Sequence, residues 1–496
     1  MSKRLRDIVK PWGLSARVAD VEARNLIIDS RQVSHGDIFV ALRGHVLDGR
    51  DFIEAAICQG ACAVLIDAEQ AHVDDYWSVP VVELTQLPER LGEVAARFYD
   101  VTPGAPTVVG ITGTNGKTSV SHYMANLLKL LKTPAGVIGT LGYGDTNALI
   151  ELPNTTPDAL SVHRLLSEQF VQGKSWVTME VSSHGLVQNR VASVPFKHAV
   201  LTNLSRDHLD YHGTMEAYGE AKAALFDWPN LSSSTINYDD AFGRRLLNSA
   251  DPQTTVVYGL DNCAEIRSFP HWLTLIEICP EAAGFSAKLD SSWGLIDVTI
   301  PLLGRFNLSN VLASIGPLLM SGFHLNEVAH AVAQLKPVAG RMESFSQPTQ
   351  PVCIVDYAHT SDALSEALKA ARFHCKGQLW CVFGCGGDRD VGKRPLMAEA
   401  AQLSADRIIV TSDNPRSESQ HKIAEDILKG FSSEQNVHVI NDRHQAIQAA
   451  IREADAQDVV LIAGKGHESY QLIGDLRLHF SDREVVVNLL ESEANS

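Results

Sequence analysis

The chain has 496 residues, which is too long for one hydrophobic core, and about three domains are expected. Apolar residues make up 45% of the sequence and charged residues 20%, as in a soluble globular protein, and the net charge of −17 argues against a nucleic-acid partner. No apolar run approaches the roughly 20 residues of a membrane span and no secretory signal is apparent, so a cytoplasmic protein is expected. The eight cysteines are scattered, and we interpret them as reduced core thiols.

The first predicted unit covers residues 1–104 and alternates helical patterns with apolar β-branched ones. Helices are predicted over Asp51–Gln59 and Gln86–Tyr99, and strands over Ala63–Ile66 and Pro80–Leu84. The unit ends at Pro103-Gly104-Ala105-Pro106, which is the clearest linker in the chain.

The second predicted unit, residues 105–338, begins with a glycine-rich turn between a strand and a helix. The apolar strand Val108–Ile111 runs into Thr112-Gly113-Thr114-Asn115-Gly116, and Lys117-Thr118 opens an apolar-patterned helix. Backbone N–H groups of such a turn cradle phosphate oxygens, while the lysine reaches the β- and γ-phosphates and the threonine hydroxyl holds Mg²⁺. The loop is a variant, since Ile111 occupies the position of the usual first glycine, and an ordinary glycine turn is the alternative.

Two further strands of this unit lead into polar residues. Glu180 ends the predicted strand Trp176–Val181, where a carboxylate beside a phosphate loop is a candidate Mg²⁺ ligand; a solvent-exposed acid is the alternative. The strand His198–Thr202 is followed by Asp207-His208-Leu209-Asp210, which indicates metal or proton chemistry. That spacing fits no zinc motif, and capping of the next helix is the competing interpretation.

For the polar residues on two later helices, the sequence spacing indicates a structural position and no chemical role. Lys222 lies in the helix predicted over Thr214–Phe226 and is expected on the surface. Asn307 and Asn310 open an apolar helix and are accounted for by helix capping.

The third predicted unit, residues 339–496, alternates strands with helical stretches. Its predicted strands are Val352–Val355, Leu379–Phe383, Arg407–Thr411 and Val459–Ala463. This alternation predicts a doubly wound parallel sheet with ligands at the carboxyl ends of the strands, where Thr411–Arg416 lies. Gly384-Cys385-Gly386-Gly387 is not a dinucleotide loop, because Arg389 stands at its last glycine position.

Five motifs in chain order resemble those of the Mur ligases, the ATP-dependent amide ligases of peptidoglycan assembly. They are Thr112–Thr118, Glu180-Val181-Ser182-Ser183-His184, Asp207–Asp210, Asn307 with Asn310, and Asp356-Tyr357-Ala358-His359. The resemblance covers almost the whole chain. It implies an α/β fold of three domains: an N-terminal UDP-binding domain, a central P-loop ATPase-like parallel sheet, and a C-terminal Rossmann-like doubly wound domain.

The resemblance implies a ligase that uses ATP to phosphorylate the γ-carboxylate of D-Glu in UDP-N-acetylmuramoyl-L-alanyl-D-glutamate. The amine of meso-2,6-diaminopimelate then attacks the acyl phosphate. The implied catalytic residues are Lys117, Glu180, His208 and Lys222. Mg²⁺ is the implied cofactor, held by Thr118, Glu180, His208 and a carbamate on Lys222. The ATP contacts carried over are Gly113, Thr114, Asn115, Gly116, Lys117, Thr118, Ser119, Asn307, Asn310, Arg341 and Asp356.

The resemblance also places the other substrates, all of them small molecules, and a monomer is expected. Contacts to the UDP-muramoyl dipeptide are carried over onto Ile28, Ser30, His45, Val46, Leu47, Asn154, Thr155, Thr156, Ser182, Gln188 and Arg190. Contacts to diaminopimelate are carried over onto Arg389, Asp413, Asn414, Pro415, Arg416, Gly464 and Glu468. Chemistry agrees at Arg416, because diaminopimelate is lysine with an extra carboxylate, which a guanidinium selects.

Two alternatives remain open at this stage. One is another amide ligase of the superfamily, such as a folylpolyglutamate synthetase or the ligase that adds the terminal dipeptide. The other is a P-loop nucleotide switch or binding module that turns over ATP slowly.

Overall fold

The computed structural model describes residues 2–44, 47–74, 76–101, 106–261, 263–281 and 284–494, and it divides into two compact units, Met1–Val256 and Val257–Ser496. Each unit contains a parallel α/β sheet of the predicted kind. The predicted bounds at residues 104 and 338 stay a prediction. Among the described residues, no helix is both long and apolar enough to cross a membrane.

The first sheet of the first unit has the order β3–β4–β5–β7–β6, with β6 antiparallel to β7 and the other pairs parallel. Its strands are β3 (Leu26–Ile27), β4 (Ile38–Ala41), β5 (Ala63–Asp67), β6 (His72–Asp74) and β7 (Val81–Leu84), and β1 (Lys3–Arg4) pairs with β2 (Glu22–Ala23) in a separate antiparallel ladder. The helices are α1 (Leu5–Ile8), α2 (Ile53–Cys58) and α3 (Leu87–Phe98). The helix predicted over Asp51–Gln59 is α-helical only from Ile53, because Gly49–Phe52 forms a 3-10 turn that the Asp48 carboxylate caps.

The second sheet of this unit places β8 in its interior, in the order β11–β10–β9–β12–β8–β13–β14. The strands are β8 (Thr107–Thr112), β9 (Ala135–Gly139), β10 (Gly142–Asp145), β11 (Ala148–Ile150), β12 (Trp176–Glu180), β13 (Phe196–Leu201) and β14 (Ser233–Asn237), and β15 (Thr255–Gly259) spans the boundary of the units. The helices are α4 (Lys117–Leu130), α5 (Ala159–Val171), α6 (Ser183–Val187), α7 (Leu209–His212), α8 (Met215–Ala223) and α9 (Ala241–Leu247).

The neighbours of β8 decide where the site forms. Strands β12 and β13 flank β8 on either side and run parallel to it, so the carboxyl ends of all three meet at one edge. Val108, Val109 and Ile111 are fully buried, as the apolar run predicts. The phosphate loop, Glu180 and the segment after β13 therefore lie side by side.

The second unit begins with an antiparallel meander that the sequence analysis did not predict. It contains β16 (His271–Glu281), β17 (Gly284–Ser291) and β18 (Gly294–Ile300), with the helices α10 (Cys263–Ile266), α11 (Arg305–Met320) and α12 (Leu325–Val332). Its strands alternate buried and exposed residues only in part, which weakens the period-2 signal along the sequence.

The rest of the second unit is the predicted doubly wound sheet, in the order β19–β20–β24–β21–β22–β23. Only β19 is antiparallel. The strands are β19 (Glu343–Phe345), β20 (Val352–Asp356), β21 (Leu379–Phe383), β22 (Arg407–Val410), β23 (Val437–Val439) and β24 (Val459–Ala463), followed by the hairpin β25 (Tyr470–Ile473) and β26 (Leu476–His479). The helices are α13 (Ser361–Phe373), α14 (Lys393–Ser404), α15 (Gln420–Leu428), α16 (Arg443–Glu453) and α17 (Asp482–Ala494).

The cysteines whose side chains are described are free thiols, as predicted, but only some lie in the core. Cys353, Cys381 and Cys385 are buried, whereas Cys58 and Cys279 are exposed. The interpretation of all of them as core thiols is therefore wrong for Cys58 and Cys279.

Candidate active site

The predicted phosphate loop is a glycine turn that joins β8 to α4. Gly113 and Gly116 have φ of 147° and 86°, and a Cβ on Gly113 would lie 1.9 Å from the Thr202 hydroxyl, so only glycine fits there. The Lys117 ammonium donates to the carbonyl oxygens of Gly113 (2.8 Å) and Thr114 (2.9 Å). The α4 helix starts at Lys117, and its amino end adds a positive partial charge to the loop.

The segment after β13 braces this loop. The Thr202 hydroxyl donates to the Asn115 carbonyl (2.6 Å), and the Asn203 side-chain oxygen accepts from the Asn115 N–H (3.0 Å). The hydroxyl of Thr114 donates to the Ser205 carbonyl (3.1 Å), and Ser119 is buried in the first turn of α4. The loop is therefore held by a segment that lies almost 90 residues away in the sequence.

Glu180 is buried beside the loop rather than exposed to solvent. It is 1% exposed, and its carboxylate accepts from the Thr118 hydroxyl (3.0 Å) and from the backbone N–H (2.9 Å) and hydroxyl (3.1 Å) of Thr140. All three donors are neutral, so a buried negative charge is left without a cationic partner among these contacts. Carboxylate and hydroxyl oxygens are ligands that Mg²⁺ prefers, and Thr118 with Glu180 fits that ion. Thr140, which follows β9, was missed by the sequence analysis.

His208 lies in a cluster of rings with His184 and Tyr218. It has φ of 53°, and its imidazole lies 3.4 Å from the Asp207 carboxylate and packs edge-on against His184, with ring centroids 4.9 Å apart. The His212 imidazole contacts the Ser183 hydroxyl (2.9 Å). In the part of the chain that the structure describes, no three His, Cys, Asp or Glu side chains group as a preformed metal site.

Lys222 is buried at the phosphate loop, so the expectation of a surface lysine is wrong. Lys222 is only 1% exposed. Its ammonium donates to the Gly113 carbonyl (3.0 Å) and lies 4.5 Å from the centre of the Tyr218 ring. Burial lowers the pKa of Lys222 well below its usual value, and the charge of Lys117 lowers it further, against an opposing effect of Asp207. Two lysines therefore donate to the same loop carbonyl.

The residues expected to hold the muramoyl dipeptide gather around the end of β12. The Thr156 hydroxyl donates to the Glu180 carbonyl (3.0 Å) and accepts from the Ser182 N–H (3.0 Å). The Arg190 guanidinium donates to the Thr156 carbonyl (2.9 Å) and to the Gln188 side-chain oxygen (2.9 Å). Thr155 shares a hydroxyl–hydroxyl hydrogen bond with Thr140 (3.0 Å), and Asn154 precedes it on an exposed segment.

The residues expected to contact UDP are described only in part. Ile28 is 37% exposed after β3, Ser30 opens a short 3-10 turn, and Leu47 is 66% exposed. His45 and Val46 lie outside the described residues. A cleft of about 980 Å³ extends from Ile28 between β3 and α5, and its lining includes Arg164.

The nucleotide residues expected in the second unit are buried or half-buried. The Asn307 and Asn310 side chains lie in the first turns of α11, and Asn310 donates to the Asn307 side-chain oxygen (3.0 Å). Asp356 ends β20 and accepts from the backbone N–H groups of Met342 (2.7 Å) and Ala358 (2.8 Å). Burial raises the pKa of Asp356, while the charge of Arg341 opposes this. The Arg341 guanidinium lies 4.4 Å from the centre of the Tyr357 ring.

The loop after β22 presents Arg416 at the carboxyl end of the second unit's sheet. Arg416 has φ of 49° and donates from Nη1 to the Gly387 carbonyl (2.8 Å). Its backbone pairs with the hairpin β25–β26, donating to the Leu472 carbonyl (3.0 Å) and accepting from the Gly474 N–H (2.7 Å). In the part of the chain that the structure describes, its guanidinium donates through Nη1 to the carbonyls of Gly387 and, at 3.5 Å, Asn414.

Two carboxylates, those of Asp413 and Glu468, lie around Lys465 on the side of this loop away from Arg416. The Asn414 amide donates to Glu468 (2.9 Å), and Lys465 donates to both the Asn414 side-chain oxygen (3.1 Å) and Glu468 (3.1 Å). The Asp413 carboxylate lies 3.6 Å from the Lys465 ammonium. Pro415 is buried within the loop and Gly464 has φ of 116° beside it. Acidic and basic groups on one loop suit a zwitterionic amino acid.

Arg389 is exposed on the neighbouring loop after β21. The Cβ position of Gly386 lies 3.7 Å from its Cγ and 2.9 Å from Arg416 Nη1, so the two arginines share this corner of the sheet edge. The sequence analysis assigned no role to Lys465, which is a lone cation inside a glycine-rich motif. It also did not predict the hairpin β25–β26, because its short strands carry no distinct sequence pattern.

Fold and site together define a class of multidomain α/β protein with a glycine turn between β8 and α4 and with polar loops at the carboxyl edge of the second unit's parallel sheet. Three family models match the chain: "Mur ligase family, catalytic domain" over residues 22–99, "Mur ligase middle domain" over 111–318 and "Mur ligase, glutamate ligase domain" over 340–466. The chain belongs to the Mur ligase family and is an ATP-dependent ligase of three-domain α/β fold.

Individual relatives agree with this assignment. The chain is 46% identical over 477 residues, 95% of this chain and 97% of the relative, to the UDP-N-acetylmuramoyl-L-alanyl-D-glutamate–2,6-diaminopimelate ligase of Haemophilus influenzae (strain ATCC 51907 / DSM 11121 / KW20 / Rd). A solved structure of a ligase with that name is 36% identical, with a TM-score of 0.71 and full coverage of both chains. The D-alanyl-D-alanyl-adding ligase of Acinetobacter baumannii, 15% identical with a TM-score of 0.68 over 99% of both chains, shares the fold.

Proposed function

We propose that the chain joins meso-2,6-diaminopimelate to the γ-carboxylate of D-Glu in UDP-N-acetylmuramoyl-L-alanyl-D-glutamate. The relative at 46% identity supports both substrates by its name, and Arg416 is the observation within the site that carries the choice of amino acid. A lysine-adding site needs no guanidinium at this position, whereas the extra carboxylate of diaminopimelate does. A cytoplasmic location and a monomeric state belong to the same proposal.

The proposed reaction has two steps, phosphorylation of the D-Glu carboxylate and then formation of the amide bond. A carboxylate oxygen of D-Glu attacks the γ-phosphorus of ATP, and ADP leaves with the bridging oxygen. The amine of diaminopimelate then attacks the acyl carbon, and inorganic phosphate leaves while the nitrogen loses a proton. Lys117 and the loop N–H groups bind the transferring phosphoryl group, and Arg190 orients a carboxylate of the dipeptide.

Thr118, Glu180 and His208 would hold Mg²⁺, which supplies positive charge against the phosphate oxygens when bound. Lys222 joins them if its amine takes up CO₂ to form a carbamate, with release of one proton. The lowered pKa of Lys222 supports this step, since only the neutral amine attacks CO₂. The carbamate would place an anion where the structure has a buried amine.

The test is ADP release measured with every combination of the substrates, together with the mass of the product. We expect ADP release only when the UDP-muramoyl dipeptide and diaminopimelate are both present, and a product heavier by diaminopimelate minus one water. The K117A variant measures contaminating ATPase.

Steady ADP release with ATP alone would instead identify a nucleotide switch. Better use of lysine or of D-alanyl-D-alanine than of diaminopimelate would identify another member of the superfamily.

A further inference from the structure

The loops that carry Arg389 and Arg416 are tied to each other before any substrate binds. The Gly387 N–H donates to the Asn414 carbonyl (2.9 Å), and the Asp388 carboxylate accepts from the Ser417 hydroxyl (2.7 Å) and N–H (3.1 Å). A Cβ on Gly387 would lie 1.9 Å from the Pro415 carbonyl oxygen, so the two backbones are in close contact. A displacement of one loop therefore moves the other.

The buried guanidinium of Arg394 connects this pair of loops to the helices α14 and α15, which pack on the sheet. Arg394, in the first turn of α14, has a fully buried side chain. Its Nη2 donates to both carboxylate oxygens of Glu418 (2.9 and 3.0 Å) and, at 3.4 Å, to the Gly386 carbonyl. Its Nη1 donates to Asp426 on α15 (3.0 Å).

Glu418 also contacts the loop after β21, because its carboxylate accepts from the Asp388 N–H (2.6 Å). Arg394 thus reaches the loop after β21 through Gly386 and Asp388, and the loop after β22 through Glu418. The hydrogen bonds and ion pairs of Arg394 within the described residues go to Gly386, Glu418 and Asp426, which are not among the residues proposed to contact diaminopimelate.

We infer that Arg394 is a positioning residue for amino-acid selection, which rests on the proposed function: it fixes the two loops so that Arg389 and Arg416 meet the distal carboxylate of diaminopimelate. The planar fork of a guanidinium is needed, since it satisfies two carboxylates and a carbonyl in fixed directions. A lysine keeps the charge and loses the fork.

The test is the R394K variant, with kcat and KM determined for each substrate in turn. We expect KM for diaminopimelate to rise about 10-fold, in line with the loss of a charge-assisted contact, while KM for ATP and for the UDP-muramoyl dipeptide stays within about 2-fold. The ratio of kcat/KM for diaminopimelate over lysine should fall. R372K is the matched control, because Arg372 joins Ser404 and Asp406 at the amino end of β22.

A double-variant cycle with R416A tests whether Arg394 acts through Arg416. In the R416A background, R394K should cost less than about 3-fold in kcat/KM for diaminopimelate. Fully additive losses, or an equal loss for all three substrates, would overturn the inference. If R394K does not fold, E418Q tests the same connection, since glutamine still accepts from the Asp388 N–H but loses the ion pair.

Backbone amide exchange separates this inference from the proposed function. We expect faster exchange over residues 384–391 and 411–419 in R394K than in the unsubstituted chain or R372K, with no substrate present. Unchanged exchange in both segments overturns the inference even if diaminopimelate is the substrate. If the unsubstituted chain does not use diaminopimelate, the proposed function fails, and faster exchange would still show that Arg394 positions the loops.

Discussion

Two lysines donate to the Gly113 carbonyl, and they have different expected fates when substrate binds. Lys117 opens α4 and donates to two carbonyls of the loop, so we expect it to exchange these contacts for phosphate oxygens, whereas Lys222 is buried against the Tyr218 ring. Replacement of each lysine therefore tests a different part of the proposed chemistry.

K117A should abolish ligation, with a loss of at least about 10³-fold in kcat, because the contact to the transferring phosphoryl group is removed. The measurement is ADP release at saturating substrates, with the far-UV circular dichroism spectrum as a check of folding. K129A, on the last turn of the same helix, is the matched control and should retain activity. A folded and active K117A variant would remove the phosphate-loop assignment.

K222A should be nearly inactive, and K222E should recover part of the activity by supplying an anion directly. The reason is that a carbamate, not an ammonium, is proposed at this position. Activity of the unsubstituted chain and of both variants is measured with and without added bicarbonate, and only the unsubstituted chain should respond. E220A, an exposed position on the same helix, serves as control. Full activity of K222A would contradict the proposed role.

R416A should chiefly impair the use of diaminopimelate. A charge-assisted bidentate contact is worth about 2–4 kcal/mol when partly desolvated, or about 30- to 1,000-fold in kcat/KM. Lysine should remain a poor substrate, since removing one contact does not build a lysine pocket. Steady-state kinetics with each substrate varied in turn is the measurement.

R407A is the control for R416A, because Arg407 lies at the opposite end of β22. Unchanged parameters for diaminopimelate in R416A, or equal losses for all three substrates, would make Arg416 a structural residue.

At the scale of elements, the hairpin β25–β26 supports the loop that carries Arg416. Gly474 in its turn has φ of 58° and donates its N–H to the Arg416 carbonyl (2.7 Å). G474P removes this N–H and forces a negative φ, so kcat/KM for diaminopimelate should fall by about 5- to 30-fold, equivalent to about 1–2 kcal/mol.

G474A is the matched variant for this prediction, since it keeps the N–H and its Cβ would meet nothing within 4 Å. G474A should lower kcat/KM for diaminopimelate less than G474P does. Equal losses in the two variants would assign the effect to backbone strain rather than to the hydrogen bond.

The elements that could be predicted are those whose signal lies within a few consecutive residues. The β8–α4 unit combines a buried apolar strand, a glycine-rich turn and a patterned helix, and all three appear where predicted. The hairpin β25–β26 was missed because four-residue strands with half-buried or exposed residues carry no distinct period. The helix predicted over Thr214–Phe226 forms only over Met215–Ala223.

At the scale of the whole molecule, two buried histidines make stability depend on pH. Burial lowers the pKa of both His163 and His198 to about 4, from 6.5 in an unfolded chain. The unfolded chain therefore binds more protons between these values, and stability that is present above pH 6.5 is lost as the pH falls. Each histidine should remove about 2 kcal/mol of unfolding free energy between pH 7 and pH 5.

Urea unfolding at the two pH values measures this loss, and H163Q should reduce the difference between them. H324Q, at an exposed histidine, should leave the difference unchanged. An unfolding free energy that does not change between pH 7 and pH 5 would show that these histidines are not buried in the neutral form.

The sequence by itself determined the family and the class of enzyme, because the motifs that carry them lie within a few consecutive residues: a glycine turn, a lysine that opens a helix, and acidic or polar residues where strands end. The family and the enzyme class are confirmed by the relatives. The roles of individual residues stay predictions.

Only the tertiary structure decided which side chains are buried and what they contact. Strand β12 lies next to β8 in the sheet although many residues separate them in the chain, and this adjacency buries Glu180 against Thr118 and Thr140. Spacing along α8 places Lys222 on a helix but cannot show that the phosphate loop covers it, and spacing along α14 says nothing of what Arg394 contacts. Contacts between strands and helices far apart in the sequence create these environments, and no local pattern encodes them.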